Sequence, residues 1–190
     1  MMETKTRSKL TELRDLVPER ALTPSEVRQV LERQATRLLK LADVHGPGVP
    51  IDEVATSLPR VVVKNVPDLP SSGRAQWSGQ AWVLFVDSTE AKVRQRYSLA
   101  HELGHVIWHP LAATVLPDTP KQLAEDRLEL ACEYFAACLL MPRMWMKRAY
   151  FEEGIQDVAS ISRLVNVSWV AMRVRLEQLG FVPAAEREAA

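Results

Sequence analysis

Residues 97–109 read Y-S-L-A-H-E-L-G-H-V-I-W-H, and within them His101, Glu102 and His105 stand in the order H-E-x-x-H. On an α-helix, residues four apart lie one turn apart on one face. The imidazoles of His101 and His105 can therefore converge on a single ion, which is the two-histidine half of a zinc site. Glu102 is one step round the helix, close enough to take a proton from water at such an ion but poorly placed to ligate beside the histidines. Leu99, Ala100, Leu103, Val106 and Ile107 surround the polar triplet, so this helix is apolar on several faces and must be buried. Buried charge needs a counter-charge or a metal. The competing reading is an ordinary core helix whose histidines bond to backbone. Gly104 fits the metal reading, because a residue without Cβ lets another element approach closely. It costs about 1 kcal/mol against Ala in a helix interior, so a packing reason is required.

Two histidines leave zinc short of ligands, since a catalytic site takes a third protein group and keeps one position open. His109 is a further four residues on, but His101 and His109 lie about 12 Å apart along a helix axis. One ion cannot bind all three imidazoles at bonds near 2 Å. His109 instead suits the helix C-terminus, where a protonated ring complements the dipole. The better source of a third ligand is the stretch E-L-A-C-E-Y-F-A-A at residues 129–137. Glu129 and Glu133 are four apart and share a face. One carboxylate can ligate, and the other can accept a hydrogen bond from a ligating histidine's free N–H, fixing its tautomer. An acidic, solvated helix face is the alternative.

The elements around this pair follow from caps and periodicity. Residues 1–20 are polar with an apolar beat at Leu10, Leu13, Leu16 and Val17, and read either as a loose helix or as disordered chain. Thr23, Pro24 and Glu26 form a capping box with proline at the first helical position, opening an amphipathic helix that Gly46-Pro47-Gly48 ends. Residues 51–58 read as a short helix. The β-branched run 60–66 reads as a strand, followed by strands at 74–77 and 81–86 joined around Ser78-Gly79-Gln80. Asp87, Ser88 and Thr89 offer caps for a helix from about Glu90 to His109. Thr119, Pro120 and Gln122 repeat the cap pattern for a second long helix, stopped by Pro142. The strand ending at Asp87 directly precedes the motif helix. It could be an edge strand that pairs with an extended substrate, or a central strand buried on both faces.

The sequence R-Q-R-Y-S-L-A-H-E-L-G-H-V-I-W-H, followed a helix later by E-L-A-C-E-Y-F-A-A-C-L-L-M-P, resembles the ImmA/IrrE family of metallo-endopeptidases over roughly residues 24–142. The resemblance implies an α+β, zincin-like fold, with Zn2+ held by His101, His105 and Glu129 and with Glu102 as general base. It further implies that the substrate is a protein, a helix-turn-helix transcriptional repressor cleaved in a stress or mobile-element response. Glu133 departs from the family, which carries Asn or Asp there, and stands as the candidate second carboxylate behind the ligands. Oxyanion stabilisation would fall to Tyr134, Tyr150, His109 or Arg143.

Beyond Pro142 the chain is helical. Residues 143–182 read as an extension resembling a helix-turn-helix, with a first helix over Asp157–Leu164, Asn166 in the turn and Ser168 capping the second; residues 183–190 form a tail and residues 1–142 the peptidase domain. Arg173 and Arg175 are the bases of the second helix, but over residues 155–190 acids and bases balance, and the whole chain has formal net charge zero. DNA binding modules carry a basic excess, so docking to protein is favoured over DNA. Cys132 and Cys138 lie on different faces of one predicted helix and read as buried, reduced thiols. The N-terminal residues lack an apolar run of signal-peptide length and no run is long enough to span a membrane, which places the expected location in the cytoplasm. The second functional reading is a zinc-containing transcriptional regulator or toxin–antitoxin component that binds DNA or a protein partner.

Overall fold

The computed structural model describes residues 7–115 and 121–183, and of residues 121–123 only the backbone. The expected cap at Thr119 and Pro120, the Gln122 side chain and most of the tail lie outside the described residues.

Within the N-terminal stretch, Ser8 caps helix α1 (Lys9–Arg14) by accepting the Thr11 N–H. Leu10, Leu13 and Val17 reach the core, so the apolar beat there is a packing face and not a disordered arm. Helix α2 (Pro24–Leu41) opens on the capping box read from Thr23 and Glu26. Each orphan N–H satisfied this way contributes about 1 kcal/mol. Helix α3 is short (Ile51–Thr56).

Strands β1 (Val61–Val66), β2 (Gly73–Trp77) and β3 (Trp82–Asp87) form one sheet in the order β1-β3-β2. The β1–β3 pair is parallel and the β2–β3 pair antiparallel. The β2–β3 turn is tied by Ser78 N–H to Ala81 O at 2.9 Å and by Ala81 N–H to Ser78 Oγ at 3.1 Å. β3 is therefore central, with Leu84, Val86 and Asp87 buried. The edge strand beside the motif helix is β2. Periodicity could not make this choice, because strand order is set by pairing between distant residues.

Helix α4 (Lys92–Trp108) carries H-E-x-x-H and packs on β2, β3 and α3. It starts later than the caps at 87–89 suggest, and no side chain caps it. Asp87 is used otherwise: its carboxylate accepts from the N–H groups of Thr89 and Leu69 and from the Thr89 hydroxyl, which bends the chain between β3 and α4. At the other end His109 is the C-cap, and Arg14 donates to the Val106 and Ile107 carbonyls at 2.7 and 3.3 Å. A cation on the last carbonyls suits the helix dipole. The buried Gln34 bridges α1 and α4, donating to Leu13 O at 3.0 Å and accepting from Trp108 Nε1 at 2.7 Å.

After the short helix α5 (Ala112–Val115), helix α6 (Lys121–Leu140) lies against both α4 and α2. Gly104 is where α4 and α6 cross: a Cβ there would sit 3.1 Å from Cys132 Cα. That is the packing reason the glycine required. Cys132 and Cys138 are free and buried. Helix α7 (Arg143–Lys147) passes into a π-helical turn (Arg148–Glu152). Helices α8 (Val158–Val165) and α9 (Trp169–Leu179) follow, with Asp157 and Ser168 as N-caps and Asn166 left-handed at φ 58°. Among the described residues, no helix is long and apolar enough to cross a membrane.

Candidate metal centre

The side chains of His101 and His105 point off one face of α4, and Glu129 comes from the facing side of α6. The two Nε2 atoms are 3.0 Å apart. Glu129 Oε2 lies 3.2 Å from His101 Nε2, and Oε1 lies 3.3 Å from His105 Nε2. A tetrahedral ion with bonds near 2 Å has its ligand atoms about 3.3 Å from one another, so this triangle has the dimensions of one face of a zinc tetrahedron. Of the groups that could hold a metal, this is the one cluster found among the described residues. Burial lowers the affinity of both imidazoles for protons; for His101 the neighbouring His105 adds to this, and Glu129 opposes it at both rings. Neutral imidazole is the form that ligates.

Glu102 is 8% exposed. Burial pushes its carboxyl up to about 7, against the Ala75 N–H, which donates to it and favours the charged form. A carboxyl with proton affinity near neutrality suits general-base work. The edge strand holds it closely: a Cβ on Gly73 would come within 3.1 Å of both Glu102 Cγ and Oε1. Gly73 and Ala75 were not singled out in the sequence. Gly73 falls just before the strand read at 74–77, and nothing local announces that β2 lies against α4.

The cluster opens into a cleft of about 490 Å³, bordered by β2 on one side and α6 on the other. His109 lines the cleft, its ring 5.7 Å from that of Trp82. Of the four oxyanion candidates it alone does so. Tyr134 turns to the opposite side of α6 and donates to Glu32 Oε1 at 3.2 Å. Tyr150 packs with Phe151 and Phe181, and Arg143 is exposed on α7. Glu133 also lines the cleft, and its charge favours protonated His101 through space; its backbone carbonyl accepts from the Tyr97 hydroxyl. Among the described residues its carboxylate makes no hydrogen bond to either histidine.

Arg175 departs most from expectation. It is fully buried, donating from Nε to Met141 O at 3.0 Å and from Nη2 to Glu32 Oε1 at 2.8 Å. Arg173 pairs with Glu177 at 2.6 Å. Neither arginine is an unengaged surface base for a phosphate.

A small mixed sheet, a motif helix packed under its edge strand, and a glutamate brought in by the next long helix define a zincin-like metallopeptidase domain. A family model described as the IrrE N-terminal-like domain, peptidase M78, matches residues 59–177, and the chain belongs to that ImmA/IrrE family. No curated protein matches the chain significantly. Among solved structures, a Mycobacterium tuberculosis transcriptional regulator is similar at a TM-score of 0.64 and 18% identity. The match covers 93% of this chain and 52% of that one, so this chain spans about half of that relative's length. At such identity the likeness concerns the fold alone.

Proposed function

We propose that this chain is a zinc-dependent endopeptidase in which His101, His105 and Glu129 hold the ion and Glu102 is the general base. The observation that carries this is the triangle of ligand atoms at 3.0–3.3 Å, with a buried carboxylate one residue along. When bound, zinc would supply Lewis acidity toward a peptide carbonyl and acidify the attacking water. Glu102 takes the proton of that water and returns it to the leaving amine. The Ala75 N–H and the lack of a Cβ at Gly73 fix where its carboxylate sits. His109, the one oxyanion candidate that lines the cleft, would donate to the developing oxyanion. Glu133 contributes negative charge beside His101. Edge strand β2 offers its outward backbone groups to an extended peptide, the role the sequence had left open for β3.

The substrate, on this reading, is a helix-turn-helix transcriptional repressor, and the protein acts in the cytoplasm. The second reading is a zinc-containing regulator or toxin–antitoxin component that works by binding. It draws on the exposed Trp169 and Val170 of α9, 52% and 65% accessible, and on the solved relative named as a transcriptional regulator. DNA is disfavoured as its ligand because Arg173 and Arg175 are engaged within the fold.

The test is to incubate zinc-loaded protein with purified repressors encoded beside its gene and follow fragments by mass spectrometry. Cleavage that stops on chelation and returns with zinc is expected. Zinc-loaded protein that binds a repressor and leaves it intact would favour the second reading.

A further inference from the structure

A second, larger depression of about 650 Å³ lies between α2, α4, α6 and α9. Ligand sites run to about 300–1,000 Å³, so this is a groove of binding size. Its surface is apolar where it is most open: Leu130, Val170 and Val174 are 62%, 65% and 46% exposed while lining it. Three exposed apolar side chains gathered in one groove offer anchor points to a partner. Its rim is basic. Arg28, Arg94 and Arg127 line it, and Glu133 is the one carboxylate among the described lining residues; Arg94 is also shared with Ser72 and, at 3.8 Å, with Glu90. Arg28 is exposed, with its guanidinium over the Tyr134 ring at 5.7 Å. The groove also meets the metal cleft: Arg94, Tyr97 and Glu133 line both.

We propose that this groove docks an acidic amphipathic helix of the protein substrate, beside the segment to be cut. The proposal rests on the peptidase reading above. Charge decides the sign of the partner, since the exposed Arg28 guanidinium over an apolar floor repels a basic helix and attracts an acidic one. Backbone chemistry decides its conformation. The described lining residues belong to helices and their flanks, so an extended peptide would find no strand edge to pair with. A helix satisfies its own backbone and needs only apolar anchors at spacings of three and four residues. The shared residues place such a helix next to the cleft, so it would deliver the adjoining chain to β2.

The experiment uses a fluorescein-labelled amphipathic peptide with leucines at helical spacing and glutamates elsewhere, and its counterpart with lysines replacing the glutamates. Anisotropy is measured against the full chain, against Arg28→Glu, and against the pair Val170→Glu with Val174→Glu. These positions are exposed and outside the metal site. The acidic peptide should bind, its lysine counterpart should bind at least about tenfold more weakly, and each variant should lose about tenfold, the scale of one good interface anchor. His101→Ala should bind as the wild type does, because the groove needs no zinc. Equal affinity for both peptides, or wild-type affinity in both variants, overturns the proposal. So does a stable dimer that the valine variants dissociate, since a second copy would then fill the groove. The peptidase reading fails separately: peptide bound in the groove, with no repressor cleaved by zinc-loaded protein, removes the enzyme and leaves the docking surface.

Discussion

Helix α6 takes part in two polar clusters, one on each side, and they are built on opposite principles. On one side Tyr134 meets Glu32 of α2 and Arg175 of α9. Two of the guanidinium nitrogens have protein acceptors, and the ring of Tyr134 lies 5.5 Å from its carbon. The Arg175 side chain is 0% exposed and Glu32 22%. On the other side Glu129 meets His101 and His105. Here the converging atoms all suit a cation, the Glu129 side chain is 56% exposed, and a cleft leads to them. The first cluster finds its partners within the protein and joins three helices, with only Arg175 Nη1 left without an acceptor among the described residues. The second is a set of ligand atoms that face one another across an open cleft, and a metal ion would complete it. Charged residues on helices thus serve structure or chemistry according to whether the fold supplies their partners.

This difference can be attacked from the structural side first. Arg175→Ala leaves Glu32 without its cation and Met141 O without its donor. Removing one partner of a buried ion pair costs about 3–5 kcal/mol. Urea unfolding should show a loss of that order, while the protein that remains folded still binds zinc. A loss near zero would mean the two clusters do not differ as described.

Gly104→Ala tests the helix spacing that brings Glu129 to the histidines. The added methyl meets Cys132 Cα on α6 at 3.1 Å, so α4 and α6 must give by a few tenths of an ångström. Overpacking of this kind costs about 1–3 kcal/mol, against about 1 kcal/mol gained in helix propensity. Because the same two helices bring Glu129 to the histidines, zinc affinity should fall together with stability. Loss of stability with zinc affinity unchanged would show that the helix spacing does not set the site.

Tyr134→Phe is the mildest of these changes. It removes one hydrogen bond to Glu32, worth about 1 kcal/mol. Stability should drop by that amount and peptidase activity should hold. A large fall in turnover would return Tyr134 to the list of groups acting on the oxyanion.

The sequence carried the local part of this picture. The two histidines on one face, with Glu102 a step away, were legible because helical spacing is fixed by the backbone; spacing left Glu129 and Glu133 open, and only the family resemblance pointed to Glu129. The caps Thr23 and Ser168 and the left-handed Asn166 were legible for the same reason. What escaped depended on residues far apart in the chain. β3 looked equally suited to an edge or to a centre, and the parallel pairing with β1 decides it. Asp87 looked like a helix cap and is instead shared with Leu69 and Thr89. Gly73 and Ala75 touch Glu102 only once β2 lies on α4. Arg175 read as a surface base because nothing in its own helix reveals Glu32 or Met141.

The central claim is that Glu102 does the proton chemistry beside a metal held by other residues. Glu102→Gln keeps the size and the bonding to Ala75 but cannot accept a proton. General-base removal costs about 10²- to 10⁴-fold or more in rate. Repressor cleavage and zinc content should be measured on the same samples of wild type, Glu102→Gln and His101→Ala. The account predicts about one zinc per chain in the first two, cleavage in the first alone, and neither zinc nor cleavage in His101→Ala. Cleavage by Glu102→Gln at the wild-type rate, or full zinc in His101→Ala, would contradict it.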